Sequence, residues 1–480
     1  MNIGQNSNLK LTIEYLKLKD VSNLIYFLGE PWCLGALVAS FFCHQDTKAP
    51  SKHKVNFIRK IKTAFSFQLI LIALIILLTF SSKGIKAQYE LNQYLITAAQ
   101  NNPGIKSKFS AYMAGMEKVP QVGGLPDLNF AFGYFIQPVE TRVGPQRAKL
   151  SIAQTFPWFG LLSSREDAAT SQAESLYEAF EESKSKLYYD VKSAYFDLYF
   201  VEKSIDISLE NIAILNTLLE LTLIKIESGS TSIVDEYRVE MDLNDIENQL
   251  ALLRDTKYEY TIRFNRLLNV TDDSNVIIPD SLWQEPLLMG KDALIDSIEI
   301  NNHEVKQIDL RIKAWEENAY AADKAYSPNI LIGFDYTFVD KYDNPSLPDN
   351  INGKDAMFAR IGITIPLYGK KYNGLIRESK LQAEKEGFAK DDKLNRLNIV
   401  FEGAYKNYSD AIRRLTLFQR QYQLANRSLD MLMEKYATDG RNFVEVLRIQ
   451  RKMLEYDLQL DKSRSDINAA VAFIDYLSGK

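Results

Sequence analysis

Residues 161–228 and 375–439 each run for about 65 residues without a proline. Each follows a short corner, Phe156-Pro157-Trp158-Phe159-Gly160 in one case and Ile365-Pro366-Leu367-Tyr368-Gly369 in the other. Proline breaks helix interiors, so its absence leaves each stretch free to be one continuous helix. At ~1.5 Å per residue such a helix spans roughly 100 Å. Few globular enzymes need a rod of that length, so the function must use it.

The side chains support the helical reading. Leu187, Val191, Ala194, Leu198, Val201, Ile205, Ser208, Ile212, Leu215 and Leu219 step by fours and threes, with Ser208 the one polar member. Leu394, Leu397, Phe401, Ala404, Tyr408, Ala411 and Leu415 open a matching seam that continues to Tyr436. Such heptad seams mark coiled-coil packing. Each rod ends near a glycine, Gly229 or Gly440, and a returning helix follows over 233–268 or 443–478.

The two halves are copies. Asn101-Asn102-Pro103-Gly104-Ile105-Lys106 answers Asn301-Asn302-His303-Glu304-Val305-Lys306, and Pro126–Tyr134 answers Pro328–Tyr336. Asp235, Gln249, Leu250 and Leu267 answer Glu445, Gln459, Leu460 and Leu477 at one constant shift. Ordered agreement along the chain points to duplication, and a repeat decides the fold before any local reading does. The first repeat covers 88–269, the second 291–480, and the proline-containing 270–290 is the crossover linker. Residues 88–119 and 291–326 supply a shorter helix before each strand pair.

Each repeat also carries two segments that alternate with period two, the signal of a half-buried strand. These are about 127–137, 147–156, 329–339 and 357–366. Leu128, Phe130, Phe132, Tyr134 and Ile136 share one face of the first, with Asn129, Ala131 and Gly133 opposite. In the others, Arg147, Lys149, Ser151, Asp335, Thr337 and Arg360 lie opposite apolar rows. Ten residues is the length of a tilted membrane-spanning strand. Two hairpins are too few for a sandwich or a closed barrel, and a bilayer leaves no strand edge unpaired. Several copies must therefore contribute to one sheet. The hairpin tips are expected at 137–146 and 340–356.

The apolar run Phe67–Phe80 follows Arg59, Lys60 and Lys62, and small residues precede Gln88. This is the layout of a secretory signal over 55–87. The run is short against the ~20 residues of a membrane span, which favours a cleaved signal over an anchor. Residues 1–54 read as an uncertain leader or an over-extended gene start. The first 87 residues hold eleven of the 57 basic and four of the 62 acidic residues, so the remainder is acidic by twelve. That balance argues against a nucleic-acid partner. Cys33, Cys43, His44 and His53 also lie in the first 87 residues, leaving His303 as the one later imidazole. If that segment is removed, a Cys/His metal centre or nucleophile is nearly excluded. No phosphate-cradling loop appears, so neither enzyme activity nor a cofactor is expected.

Taken together, Gly124-Leu125-Pro126-Asp127, Gln154 to Gly160 and the tips Gly229–Tyr237 and Tyr436–Leu447 carry a specific likeness. Over 88–480 the chain resembles the TolC-type outer-membrane efflux and secretion channels, the outer membrane factors. The resemblance implies a mixed α and β membrane protein in which a β-hairpin sits on a long antiparallel helical hairpin, twice over. It implies a homotrimer, with a shared twelve-stranded outer-membrane barrel in lipid and a periplasmic helical tunnel below. It further implies a periplasmic adaptor and an inner-membrane pump as partners, in a Gram-negative envelope.

The resemblance also implies a gate at the periplasmic tips. The matching positions are Asp235, Glu236, Tyr237 and Arg238 in one tip, and Asp439, Arg441 and Glu445 in the other. Rings of carboxylates bridged by arginine would constrict a pore there. The alternative at each position is a solvated charge or a helix cap. Gly229 and Gly440 serve the tight turn first and adaptor contact second. Between Gly440 and Glu445 the second tip is one residue shorter than between Gly229 and Asp235. Pro157, Gly160, Pro366 and Gly369 form the strand-to-helix corners. The competing reading is a coiled-coil protein that tethers the envelope without transport. It explains the seams but neither the strand hairpins nor the corner prolines. Which solute would be exported, whether drug, metal ion or protein, is not written in these residues.

Overall fold

A computed structural model of the protein describes residues 88–343, 348–439 and 442–480. The leader, the signal segment, both cysteines, Gly440 and Arg441 lie outside the described residues. Each half repeats one order of elements. The first contains α1 (88–101), α2 (Pro103–Gly123), β1 (Asn129–Thr141), β2 (Gly144–Phe156), α3 (Leu161–Glu227) and α4 (Ile233–Leu268). The second contains α5 (Lys291–Asn301), α6 (His303–Ala325), β3 (Asn329–Val339), β4 (Ala356–Thr364), α7 (Gly369–Asp439) and α8 (Phe443–Leu477).

The shorter helix expected before each strand pair is in fact two, broken at equivalent asparagines. Asn102 caps α2 by accepting from the backbone N–H of Gly104 (2.8 Å) and Ile105 (3.3 Å). Asn302 caps α6 in the same way, accepting from Glu304 (3.1 Å) and Val305 (3.3 Å). An extended cap residue stops one helix and starts the next. Pro103 reinforces the first break, whereas the second has His303 there and relies on the cap alone. Each Asn amide also donates to a carbonyl near the end of its repeat, Asn102 to Leu267 (3.4 Å) and Asn302 to Leu477 (3.0 Å). The duplication thus extends to hydrogen bonds between the ends of each repeat. Helix α2 continues through Pro120 to Gly123, beyond the end expected at 119.

The four strands form one antiparallel sheet in the order β1-β2-β3-β4, so β1 and β4 are both edges. Strands β1 and β2 run further than the alternation suggests, to Thr141 and from Gly144, leaving only Arg142-Val143 as the turn. The expected tip at 137–146 is therefore mostly strand. A register shift between Tyr134 and Val139 spans Pro138, which lacks the ladder N–H that a regular strand would use.

Below the sheet, the first third of α3 packs against α2 and α6, and the rest against α4 and α8. Most of the seam residues lie inside: Leu187, Val191, Ala194, Leu198, Val201 and Leu215 in α3, and Leu397, Phe401, Ala404, Ala411 and Tyr436 in α7 are buried. The crossover linker lies along this wall. Asn468 on α8 donates to the Trp283 carbonyl (2.8 Å) and accepts from the Glu285 N–H (3.0 Å), and the Tyr195 hydroxyl donates to the Ile277 carbonyl (3.1 Å). A segment without helical period is thereby fixed by hydrogen bonds from the helices.

Candidate functional site

The sheet sorts its side chains sharply by face. Register places Phe132 beside Leu150, Leu150 beside Tyr336 and Tyr336 beside Met357. This row and its neighbours form an apolar face across all four strands. Phe130, Phe132, Tyr134, Ile136, Ile361 and Ile363 on it are all well exposed in the single chain. Opposite, Ala131, Ser151, Asp335 and Phe358 align, flanked by Lys149 and Arg360. An exposed apolar band of this extent marks a surface meant for lipid or for partners.

At the base of the sheet the two corners differ. Gly160 takes φ 87° to turn β2 into α3, a backbone that favours glycine, and its carbonyl accepts from the Ser164 N–H (3.1 Å) and hydroxyl (2.7 Å). Gly369 is the first residue of α7. A Cβ added there would lie 3.1 Å from the Tyr326 hydroxyl oxygen, so this glycine answers to close approach instead. Pro157 and Pro366 precede the two turns, while Phe159, Leu367 and Tyr368 are largely exposed. Large apolar and aromatic side chains at that level suit a membrane–water boundary.

At the opposite end of the rods, Gly229 closes α3 with φ 70°; its N–H donates to Ile226 and the Ser230 N–H to Lys225. This satisfies carbonyls that the helix end leaves open. Asp235 sits at the third position of α4 and is only 13 % exposed. Its carboxylate accepts from Thr231 (2.6 Å) and Arg238 (2.7 Å). Glu236 is half-buried and Tyr237 is 53 % exposed. In the other tip, Glu445 pairs with Arg448, and Asp439 is the last residue of α7. Tyr436 is buried against Phe443 (5.1 Å between rings), beneath the Lys225 ammonium. The structure thus brings Asp235 and Arg238 together within one helix and does not join them to Glu445.

Several contacts cross between the hairpins, among them Lys225 donating to the Ala437 carbonyl (3.0 Å) and Thr222 meeting the Tyr436 hydroxyl (3.3 Å). The ion pair among them was not legible as a tip charge. Asp242 of α4, 8 % exposed, accepts two hydrogen bonds from Arg451 of α8, from Nε at 2.9 Å and from Nη2 at 2.5 Å. This forked geometry is the strong form of the carboxylate–guanidinium pair. A sequence signal existed: Asp242 falls on the same helical arc as Val239, Leu243 and Ile246, a charge on a core-facing stripe. Further along α8, burial and the nearby Asp461 and Glu210 push the Asp457 carboxyl up to about 6, against the pull of Arg464. Among the described residues no cluster of His, Cys, Asp and Glu could hold a metal ion.

No protein-family profile and no curated protein matches the chain. Solved structures do. The outer-membrane protein VceC of Vibrio cholerae superposes with TM-score 0.65 at 15 % identity, covering 82 % of this chain and 98 % of its own. The CmeC outer-membrane channel of Campylobacter jejuni gives TM-score 0.64 at 12 % identity, covering 81 % and 85 %. The open state of the Neisseria gonorrhoeae MtrE outer-membrane channel gives 0.64 at 13 % identity, covering 81 % and 89 %. With two strand hairpins set on two long helical hairpins, the chain has the fold of the TolC-type outer-membrane channels.

Proposed function

We propose that this protein is a passive exit duct of a tripartite efflux or type I secretion system. Three copies close one twelve-stranded barrel in the outer membrane of a Gram-negative cell, and their long helices extend the bore through the periplasm. A periplasmic adaptor and an inner-membrane pump supply the contacts and the energy, and the helix tips gate the entrance. No bond is made or broken.

One observation carries this reading: a four-stranded sheet with two unpaired edges and an exposed apolar face. The open edges are costly in lipid and the apolar face is costly in water; closure with further copies pairs the edges, and the bilayer covers the face. Rods of 67 and 71 residues, roughly 100 Å each, then have a use as the wall of a tunnel. A coiled-coil tether would need neither the apolar face nor the open edges. The protein should fractionate with the outer membrane and, once purified, give discrete ion conductance in planar bilayers. An assembled oligomer that stays silent, even with its tips loosened, would leave the tether as the better reading.

A further inference from the structure

The polar face of the sheet holds one built charge cluster. Asp335 lies at its centre, on β3, with its side chain wholly buried. Ser151 on β2 donates a short hydrogen bond to one carboxylate oxygen. Lys149 Nζ stands 3.3 Å from that oxygen, and Arg360 Nε on β4 stands 3.5 Å from the other. Lys149 is one step toward the hairpin tips, opposite Thr337, and Arg360 one step toward the helices, opposite Gly333. The carboxylate is thus stacked between two cations.

The arrangement fixes the cations in place. A Cβ on Gly333 would lie 2.7 Å from Arg360 Nε and 3.0 Å from its Cγ, so the missing side chain is the floor across which the arginine lies. The Lys149 ammonium also rests 5.1 Å above the Phe358 ring. Yet Lys149 and Arg360 remain 35 % and 44 % exposed, so each still faces the space above the sheet. Two positive charges against one negative leave a net +1 in each chain. The next cation toward the tips, Arg147, is matched by Asp340 at 2.7 Å. The other polar-face positions across these rows, including Asn129, Ala153, Thr155 and Thr364, are uncharged.

We propose that Lys149 and Arg360, anchored by Asp335 and Gly333, form an anion-attracting girdle on the inner wall of the barrel, so that the duct favours anionic solutes such as carboxylates, sulfonates and phosphates. This rests on the duct reading: in a trimer the polar face lines the bore, and three copies place three uncompensated positive charges at one level. Rings of fixed charge at close quarters set the sign of permeating ions. Salt screens them over about 10 Å at 0.1 M, so the preference weakens as salt rises.

The test is the reversal potential in a planar bilayer under a KCl gradient, with full-length trimers verified by mass in detergent. Replacing Lys149→Gln together with Arg360→Gln should lower the chloride-to-potassium permeability ratio about threefold or more, as expected for losing charged groups at a pore wall. Asp335→Asn, a change of one polar atom, should move the ratio in the opposite direction. Conducting variants with the parent's ratio would overturn the girdle while leaving the duct intact. If neither the parent nor an Arg451→Ala form with loosened tips conducts at all, the duct reading falls and the girdle falls with it.

Discussion

On the proposed duct reading, with the tips as its gate, Arg451→Ala should raise the fraction of time the channel spends open by roughly a hundredfold. The pair it breaks ties α4 of the first helical hairpin to α8 of the second, close to the tips. Arg451 is 65 % exposed, so the pair is discounted for screening by solvent and set at about 1 kcal/mol per chain. Three copies acting together give about 3 kcal/mol, which is two decades in a two-state ratio. Asp242→Asn should act in the same direction, since the amide cannot accept the same fork from arginine. The double variant should be no more open than either single one, because both remove the same contact. Single-channel recording reads all three. Effects that simply add, or an unchanged open time, would show that the pair does not hold the tips closed.

Phe264→Ala should cost the assembled protein about 3–5 kcal/mol per chain, the usual range for an aromatic ring deleted from a packed core. Phe264 is fully buried, with Tyr94 edge-on at 5.1 Å and Tyr195 at 6.1 Å. Its cluster joins α1, α3, the end of α4, the crossover linker through Leu282 and α8 through Ala472. Removing the ring therefore loosens the joint where the repeats meet, in addition to one helix contact. Tyr195→Phe is the graded control. It keeps the ring and loses only the hydrogen bond to Ile277, so about 1 kcal/mol is expected. Thermal unfolding in detergent compares the two. A Phe264→Ala loss no larger than that of Tyr195→Phe would mean the joint is not a packed core.

Periodicity made the rods and strand faces legible because the buried seam and the alternating sheet are both local patterns. Leu187 and Val191 of α3, and Phe401 of α7, are inside because spacing puts each on the core-facing arc of its own helix. The breaks at Asn102 and Asn302 were harder to see. Only a side chain folding back onto its own helix N-terminus marks them, and one of the two has no proline beside it. The second corner misleads by symmetry with the first: Gly160 needs a left-handed backbone, while Gly369 needs room beside Tyr326.

Charges were the least legible part. Asp235 reads as a candidate pore residue by position, but its carboxylate is engaged by Thr231 and Arg238 on its own chain. The pairing of Asp242 with Arg451 depends on how two hairpins far apart in sequence lie side by side. The stack around Asp335 depends on the register between β2, β3 and β4. Sequence spacing fixes none of these long-range registers.

In the proposed barrel, β1 of one copy pairs with β4 of the next. Within one chain these edges are separated by two strands, about 14 Å at the usual strand spacing, beyond a short bis-maleimide's reach. With all native cysteines removed, Ala131→Cys should be combined in turn with Phe358→Cys, Arg360→Cys or Gly362→Cys and cross-linked in native membranes. The expected product at the matching register is a covalent ladder that stops at three chains. Monomers alone at every register, or a ladder running past three, would contradict a closed three-copy barrel.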